Sequence, residues 1–262
     1  MKTSIKQKNI DNYNQTYIYD EVNLAYEVRD KIQIISSIKI LFNNLKGKKV
    51  LDIGFGTGDI LLKFHEKGAD CFGLEISDKA IESLKEKSSS SLQLFKGDLV
   101  SLPFMSDFFD IVVCSHVLEH VKDDKKAILE IKRVLKKNGL AVIGVPSVGN
   151  KHNFMHYREY SISKFKTLID DWNILFFRPY GSRLFQLIIK VKNYLTCSLI
   201  KEANNCEPEL FRKKCSNDRR LSLIKKIYYI LVVPFLLILQ RIDDILPFFK
   251  GEPIEIWTVL EK

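Results

Sequence analysis

Val50-Leu51-Asp52-Ile53-Gly54-Phe55-Gly56-Thr57-Gly58-Asp59 decides the fold. A short apolar, β-prone run enters a turn with glycine at every second position and leaves into a helix-forming segment. Glycine lets a backbone approach a ligand closely and take conformations closed to other residues. The start of the following helix offers unpaired N–H groups. A dinucleotide site would need GxGxxG with the pyrophosphate at the helix N-terminus. The spacing here is GxGxG, and Asp59 stands where the third glycine of that pattern would fall. A carboxylate there repels a pyrophosphate, and Asp52 adds a second one before the turn. Acidic flanks suit a cationic ligand better, which ranks a dehydrogenase low.

Working outward, β-prone runs alternate with helical stretches. Val50–Ile53, Asp70–Glu75, Leu92–Phe95, Phe109–Cys114, Leu140–Val145 and Asn173–Phe177 read as strands. Helices are expected at Asp59–Lys67, Asp78–Lys87, Asp123–Lys136 and Ser163–Trp172. The third of these carries Ala127, Ile128, Ile131, Val134 and Leu135 on one face, with Asn138-Gly139 as its stop. Ser161 or Ser163 would cap the fourth. Such βαβα alternation implies a mostly parallel sheet with helices on both faces. Before it lies a lead-in, residues 1–44, with helical spacing at Ile35, Ile38, Leu41, Phe42 and Leu45. After the core of residues 45–178 comes a helical insertion, 179–250, and residues 251–262 end in a last strand at Ile254–Leu260. Ser88–Ser91 reads as a loop tip.

The quoted turn resembles the first motif of class I S-adenosylmethionine-dependent methyltransferases, which cradles the amino-acid part of the cofactor. Glu75, in Gly73-Leu74-Glu75-Ile76-Ser77, resembles that family's acidic residue for the two ribose hydroxyls, a task suited to two carboxylate oxygens. Ile76 would pack on adenine. Asp98, in Lys96-Gly97-Asp98-Leu99, resembles the residue that accepts from the adenine amino group, with the Leu99 N–H facing a ring nitrogen. Phe109-Asp110-Ile111-Val112-Val113-Cys114-Ser115-His116-Val117-Leu118-Glu119-His120-Val121 is similar to the fourth strand and its loop, in the form typical of ubiquinone and menaquinone biosynthesis methyltransferases. Leu135 to Leu140 resembles the turn before the fifth strand. The resemblance spans roughly Lys46 to Phe177 plus the last strand.

It implies a Rossmann-like methyltransferase fold with a mixed seven-stranded sheet, its final strand antiparallel. It implies S-adenosylmethionine as cofactor, held by Asp52, Gly54, Phe55, Gly56, Gly58, Glu75, Ile76, Asp98, Leu99 and Ser115. The reaction implied is displacement at a sulfonium methyl group, for which the protein supplies proximity and alignment. A base is needed only where the acceptor loses a proton. His116 is the candidate beside the cofactor, and His120, paired with Glu119, is expected to orient its loop. After the fifth strand, His152, His156, Tyr157 and Arg158 are acceptor-side candidates. Tyr13, Tyr17 and Tyr19 precede the first helix, where relatives fold a lid.

The 262 residues carry 41 Lys and Arg against 32 Asp and Glu, a formal +9. The insertion holds thirteen of those bases against six acids, so +7 of the excess sits there. Arg212-Lys213-Lys214 and Arg219-Arg220 flank the apolar run Ile227–Leu239, thirteen residues interrupted by Pro234. That run is short of the ~17–25 residues of a spanning helix. Basic clusters beside it suit an anionic bilayer surface, or else a helical cap or dimer contact. Nucleic acid is disfavoured, because the bases are not interleaved with stacking aromatics. Five cysteines without a CxxC pair, and a polar start without an apolar run, fit a reducing cytosol with no disulfide framework, metal site or signal peptide. The expected function is methyl transfer to a small or lipid-like acceptor, with peripheral contact at the inner face of the membrane. The rival is a non-catalytic protein of the same fold acting as a membrane or assembly partner.

Overall fold

The computed structural model describes residues 45–87, 92–148, 156–180, 253 and 255–262. Strand β1 (Lys49–Ile53) leads into the glycine turn and helix α1 (Asp59–Glu66), whose Leu61 and Phe64 are buried. Then follow β2 (Asp70–Glu75), α2 (Asp78–Lys87), β3 (Gln93–Lys96) and β4 (Phe109–Ser115). A 3-10 turn at Leu118–His120 precedes α3 (Asp124–Val134), which is capped where the Asp123 side chain accepts from the Lys126 N–H at 3.0 Å. Strand β5 (Leu135–Pro146), helix α4 (Ile162–Leu168), β6 (Asn173–Tyr180) and β7 (Glu255–Glu261) complete the series.

The seven strands lie in the order β3-β2-β1-β4-β5-β7-β6. Neighbours from β3 to β5 run parallel, and β7 runs antiparallel to β5. Val50–Ile53 and Ile111–Ser115 are buried at every position. Burial at consecutive residues needs cover on both faces, which explains why these strands read as apolar runs without alternation. The chain crosses from β1 to β2 on one side and returns to β4 on the other, so the carboxyl ends of β1 and β4 border the switch point where such sheets bind ligands.

Most elements end within a residue or two of their expected positions. The larger departures are at β5, which starts at Leu135 rather than Leu140, and at the ends of α4 and β6. The third helix was expected to run on to Lys136, yet it stops at Val134, and Leu135 already pairs with Phe109. Tertiary bonds take over there: Lys262 donates to the carbonyls of Gly139 (3.1 Å) and, through Nζ, Leu135 (2.6 Å), while Lys136 Nζ reaches Asp110 at 2.8 Å. Asn138 and Gly139 therefore turn a bulge inside β5, with Asn138 at φ 61°. The fourth helix was expected over Ser163–Trp172, but it ends at Leu168, with Ser161 as its cap through the Lys164 N–H. Strand β6 runs on to Tyr180, so residues 179 and 180 belong to the sheet rather than to the insertion. The lead-in helix with Tyr13, Tyr17 and Tyr19, the Ser88–Ser91 tip and the 181–250 stretch lie outside the described residues.

One staple ties the long β3–β4 connection to α3. Glu130 accepts from Arg133 Nε and Nη2 at 2.7 and 2.8 Å and from the Leu102 N–H at 2.8 Å. Arg133 donates onward to the carbonyls of Phe104 (2.7 Å) and Leu102 (3.1 Å). Phe104 is thereby pressed edge-on against Phe109, ring centres 4.9 Å apart. The Arg133 hydrogen bonds hold the Glu130 carboxyl below its ordinary 4.5. A depressed folded value means the stabilisation is complete above pH 4.5 and is lost as pH falls through the folded value. Glu130→Gln should lower stability by about 1–2 kcal/mol at neutral pH. It should also flatten the fall of the urea midpoint between about pH 6 and pH 3. Parallel pH profiles for variant and parent would show that the staple contributes nothing.

Candidate active site

Gly54, Gly56 and Gly58 have φ of 66°, 52° and 81°. This left-handed region is open to glycine at no steric cost. The turn is closed by the Gly54 N–H on the Leu74 carbonyl (2.7 Å) and the Gly58 N–H on that of Phe55 (2.8 Å). The three positions differ in what a side chain would meet. A Cβ on Gly54 would lie 2.4 Å from Val117, and one on Gly58 would lie 2.5 Å from Leu84, so both glycines serve packing. Among the described residues, a Cβ on Gly56 would meet nothing within 4 Å. The open space that a ligand could enter is therefore at Gly56. Phe55 is buried with its ring against Gly73, so it serves the turn through its carbonyl and not through its side chain.

Glu75 closes the same turn from β2. Its Oε2 accepts from the Gly56 N–H at 3.1 Å, and its Oε1 from Ile76 N–H at 2.7 Å and Ser77 N–H at 3.2 Å. Burial pushes its carboxyl up, against the pull of these three donors. About one of a carboxylate's four lone-pair positions stays open for an incoming hydroxyl. Asp52, 1% exposed, sits one residue before the end of β1, in register with Gly73 and Val113. Asp98 follows β3, half-buried, accepting from the Val100 N–H. Leu99 packs its side chain in the core, and Ile76 is half-buried. At the end of β4 the Ser115 hydroxyl is buried without a hydrogen-bond partner.

His116 follows at φ 55°, the left-handed region that few side-chain-bearing residues take. Its Nδ1 lies 3.5 Å from Glu119 and its Nε2 3.4 Å from Glu255. Glu255 is in turn held by Trp257 Nε1 at 2.9 Å. Burial alone would raise the Glu119 carboxyl, but the His116 contact, with His120 beside it, brings it below the ordinary range. His156 stands with its ring centre 4.9 Å from that of His120, and burial pushes its imidazole below the usual value. Tyr157 donates its backbone N–H to the Glu119 carbonyl at 2.8 Å. Arg158 is bonded to the segment that leads into α3. Its guanidinium is spent on the carbonyls of Val121 and Lys122 and on Asp124. His152 lies outside the described residues. Sequence reasoning missed Ser77, Glu255 and Trp257. The first carried a weak signal as a Ser opening a helix; the other two carried none, because their approach to His116 depends on strand register.

Residues 51–143 match the family described as methyltransferase domain. The chain is 36% identical over 95 residues to the uncharacterized methyltransferase YcgJ of Bacillus subtilis, covering 35% of this chain and 38% of that protein. It is 38% identical over 130 residues to a demethylmenaquinone methyltransferase of Staphylococcus epidermidis, covering 47% of this chain and 54% of that one. The chain thus spans 38% and 54% of the length of these curated relatives. A S-adenosylmethionine-dependent methyltransferase from Archaeoglobus fulgidus shares the fold, with a TM-score of 0.55 at 14% identity over 89% of this chain and 94% of that one. The matched stretch is thus similar to a methyltransferase domain, and the fold is shared with a solved S-adenosylmethionine-dependent methyltransferase.

The residues present fit that cofactor. The turn has room at Gly56, a fixed carboxylate waits at Glu75, and the Ser115 hydroxyl lacks a partner. Gly54 and Gly56 should therefore respond differently to alanine. Gly56→Ala carries a left-handed penalty of about 1–2 kcal/mol and sets a methyl group in the open space. Calorimetry should show cofactor affinity down about tenfold or more, with a modest change in Tm. Gly54→Ala adds a clash with Val117 and should cost clearly more Tm. Unchanged cofactor affinity in Gly56→Ala would place the cofactor elsewhere.

Proposed function

We propose that this chain transfers a methyl group from S-adenosylmethionine to a small or lipid-like acceptor. The supporting observation is the glycine turn at β1. It is open at Gly56 and locked to the buried Glu75 carboxylate, and the unpartnered Ser115 hydroxyl lies one residue beyond the Ile53–Cys114 pair. In this reading Gly56, Gly58 and Asp52 face the amino-acid part of the cofactor, Glu75 the ribose, and Ile76, Asp98 and Leu99 the adenine. When bound, the cofactor supplies an electrophilic methyl group on a sulfonium. The chain's own task is then to align an acceptor with that group and to exclude water.

His116, His156 and Tyr157 form the acceptor side. His116 directly follows β4, and the buried Glu119 stands behind its Nδ1, the arrangement of a base with an orienting carboxylate. Where the acceptor must lose a proton, His116 takes it through Nε2, once that nitrogen parts from Glu255. His116→Gln should lower turnover about 100-fold or more while calorimetry shows the same cofactor affinity as the parent. Turnover is measured with labelled cofactor on metabolite and lipid extracts. Full activity in the variant would remove His116 from the chemistry.

The lipid-like acceptor draws support from the demethylmenaquinone methyltransferase relative and from the basic, apolar 181–250 stretch. This protein should sediment with anionic vesicles at low salt and come off as salt rises. Replacing Arg212, Lys213 and Lys214 by Glu should abolish sedimentation and leave cofactor binding intact. No sedimentation by the parent, or none lost in the variant, would leave the acceptor a soluble metabolite.

A further inference from the structure

The loops after β4 and β5 gather three metal-ligating side chains apart from the cofactor residues. One ligand atom each of Glu119, His120 and His156 lies within 4.8 Å of the other two. We propose that these three side chains form a binding site for a divalent first-row transition ion of the zinc type. The proposal goes beyond the acceptor reading and does not rest on it.

The donor set argues for such an ion. Two imidazoles and one carboxylate are ligands that zinc accepts, and three protein ligands leave a position open for an oxygen donor. Polar atoms are also left over at this point. Glu119 is 1% exposed, and its Oε2 is buried with no hydrogen-bond partner. Its other oxygen is the one approached by His116 (3.5 Å) and His120 (4.0 Å). His156 Nδ1 is likewise buried with no hydrogen-bond partner, 4.0 Å from Glu159. A buried carboxylate oxygen and a buried ring nitrogen without partners are costly in a protein interior, and an ion held by these residues would lower that cost.

The support around the cluster is built rather than incidental. The Tyr157 N–H on the Glu119 carbonyl fixes the residue after His156 to the 3-10 turn. Arg158 clamps Val121 and Lys122, and Tyr160 and Arg158 both hold Asp124 at the head of α3. Two loops that share no sequence proximity are thus bound together by bonds that leave the three side chains facing one another. Zn–N distances of about 2.0–2.1 Å place tetrahedral ligand atoms about 3.3 Å apart, so ligand atoms now within 4.8 Å of one another would draw together on binding.

The test uses the full chain stripped with chelator, titrated with Zn²⁺ against a chromophoric competitor. One equivalent should bind. His156→Ala and Glu119→Gln should each weaken it by about 100-fold or more. His120→Ala, at a more exposed position, serves as a third variant should the buried ones fold poorly. Cofactor calorimetry on each variant reports an intact core, because none touches Gly56 or Glu75. Titration with Co²⁺ should give ligand-field bands without the near-ultraviolet thiolate bands that a cysteine site would produce. Absence of stoichiometric Zn²⁺ binding, thiolate bands with Co²⁺, or binding unaffected in folded His156→Ala and His120→Ala would overturn the site. Cofactor binding by the stripped protein is read separately, so failure here and failure of the methyl-transfer reading give different results.

Discussion

Glu75 ends β2 with both carboxylate oxygens turned to backbone N–H groups, and one of them belongs to Gly56 of the neighbouring β1 turn. Burying a carboxylate is unfavourable unless its oxygens are satisfied. Here three charge-assisted hydrogen bonds offset part of that cost. The result is a cross-link between two successive strand ends. Around it, Gly54 takes Val117 from the β4 loop, Gly58 takes Leu84 from α2, and Phe55 lies on Gly73. A turn with three left-handed residues has little stiffness of its own. It gets its shape from these neighbours, and the carboxylate fixes the end that faces the open space.

The β4 loop is organised differently. Its turn is short, and its carbonyls at Glu119, Val121 and Lys122 are met by Tyr157 and Arg158 from the segment after β5. Tyr160 lies fully buried beneath them and reaches Asp124 with its hydroxyl. The polar side chains of the proposed acceptor side are therefore held by backbone contacts one residue away. That separates the task of folding the loop from the task of the site. Arg158 and Tyr157 adjoin in sequence with His156, yet their anchoring bonds are structural.

The parallel half of the sheet was legible because its strands are buried on both faces and their glycine and acidic punctuation is local. Asp70–Glu75 and Asp78–Lys87 fall where expected for that reason. The end of α3 was not legible. Val134, Leu135 and Lys136 continue a helical pattern, and only pairing with Phe109 and with Lys262, far along the chain, breaks it. In the site, the glycine turn could be read from its spacing, whereas Glu75 was marked only by the family resemblance. The charge on Arg158 suggested an acceptor contact, but a guanidinium is equally suited to loose carbonyls and a nearby carboxylate, and proximity in space decided between them. Glu255 beside His116, and His156 beside Glu119, arise from register and loop closure, to which local pattern is blind.

Strand β7 sits inside the sheet, between β5 and β6, although it follows β6 in sequence by the whole of 181–254. An interior strand that arrives late leaves a slot. Until it is filled, β5 presents an unpaired edge made of Ala141, Val142, Ile143 and Val145, all fully buried in the folded sheet. Such an edge invites pairing with other chains. Closing the slot joins positions far apart in sequence, and the entropy of such closure grows only slowly with the length of the intervening chain. The connection can therefore change in size at small thermodynamic expense, while the exposure time of the open edge, a kinetic quantity, becomes the property on which recovery of folded protein turns.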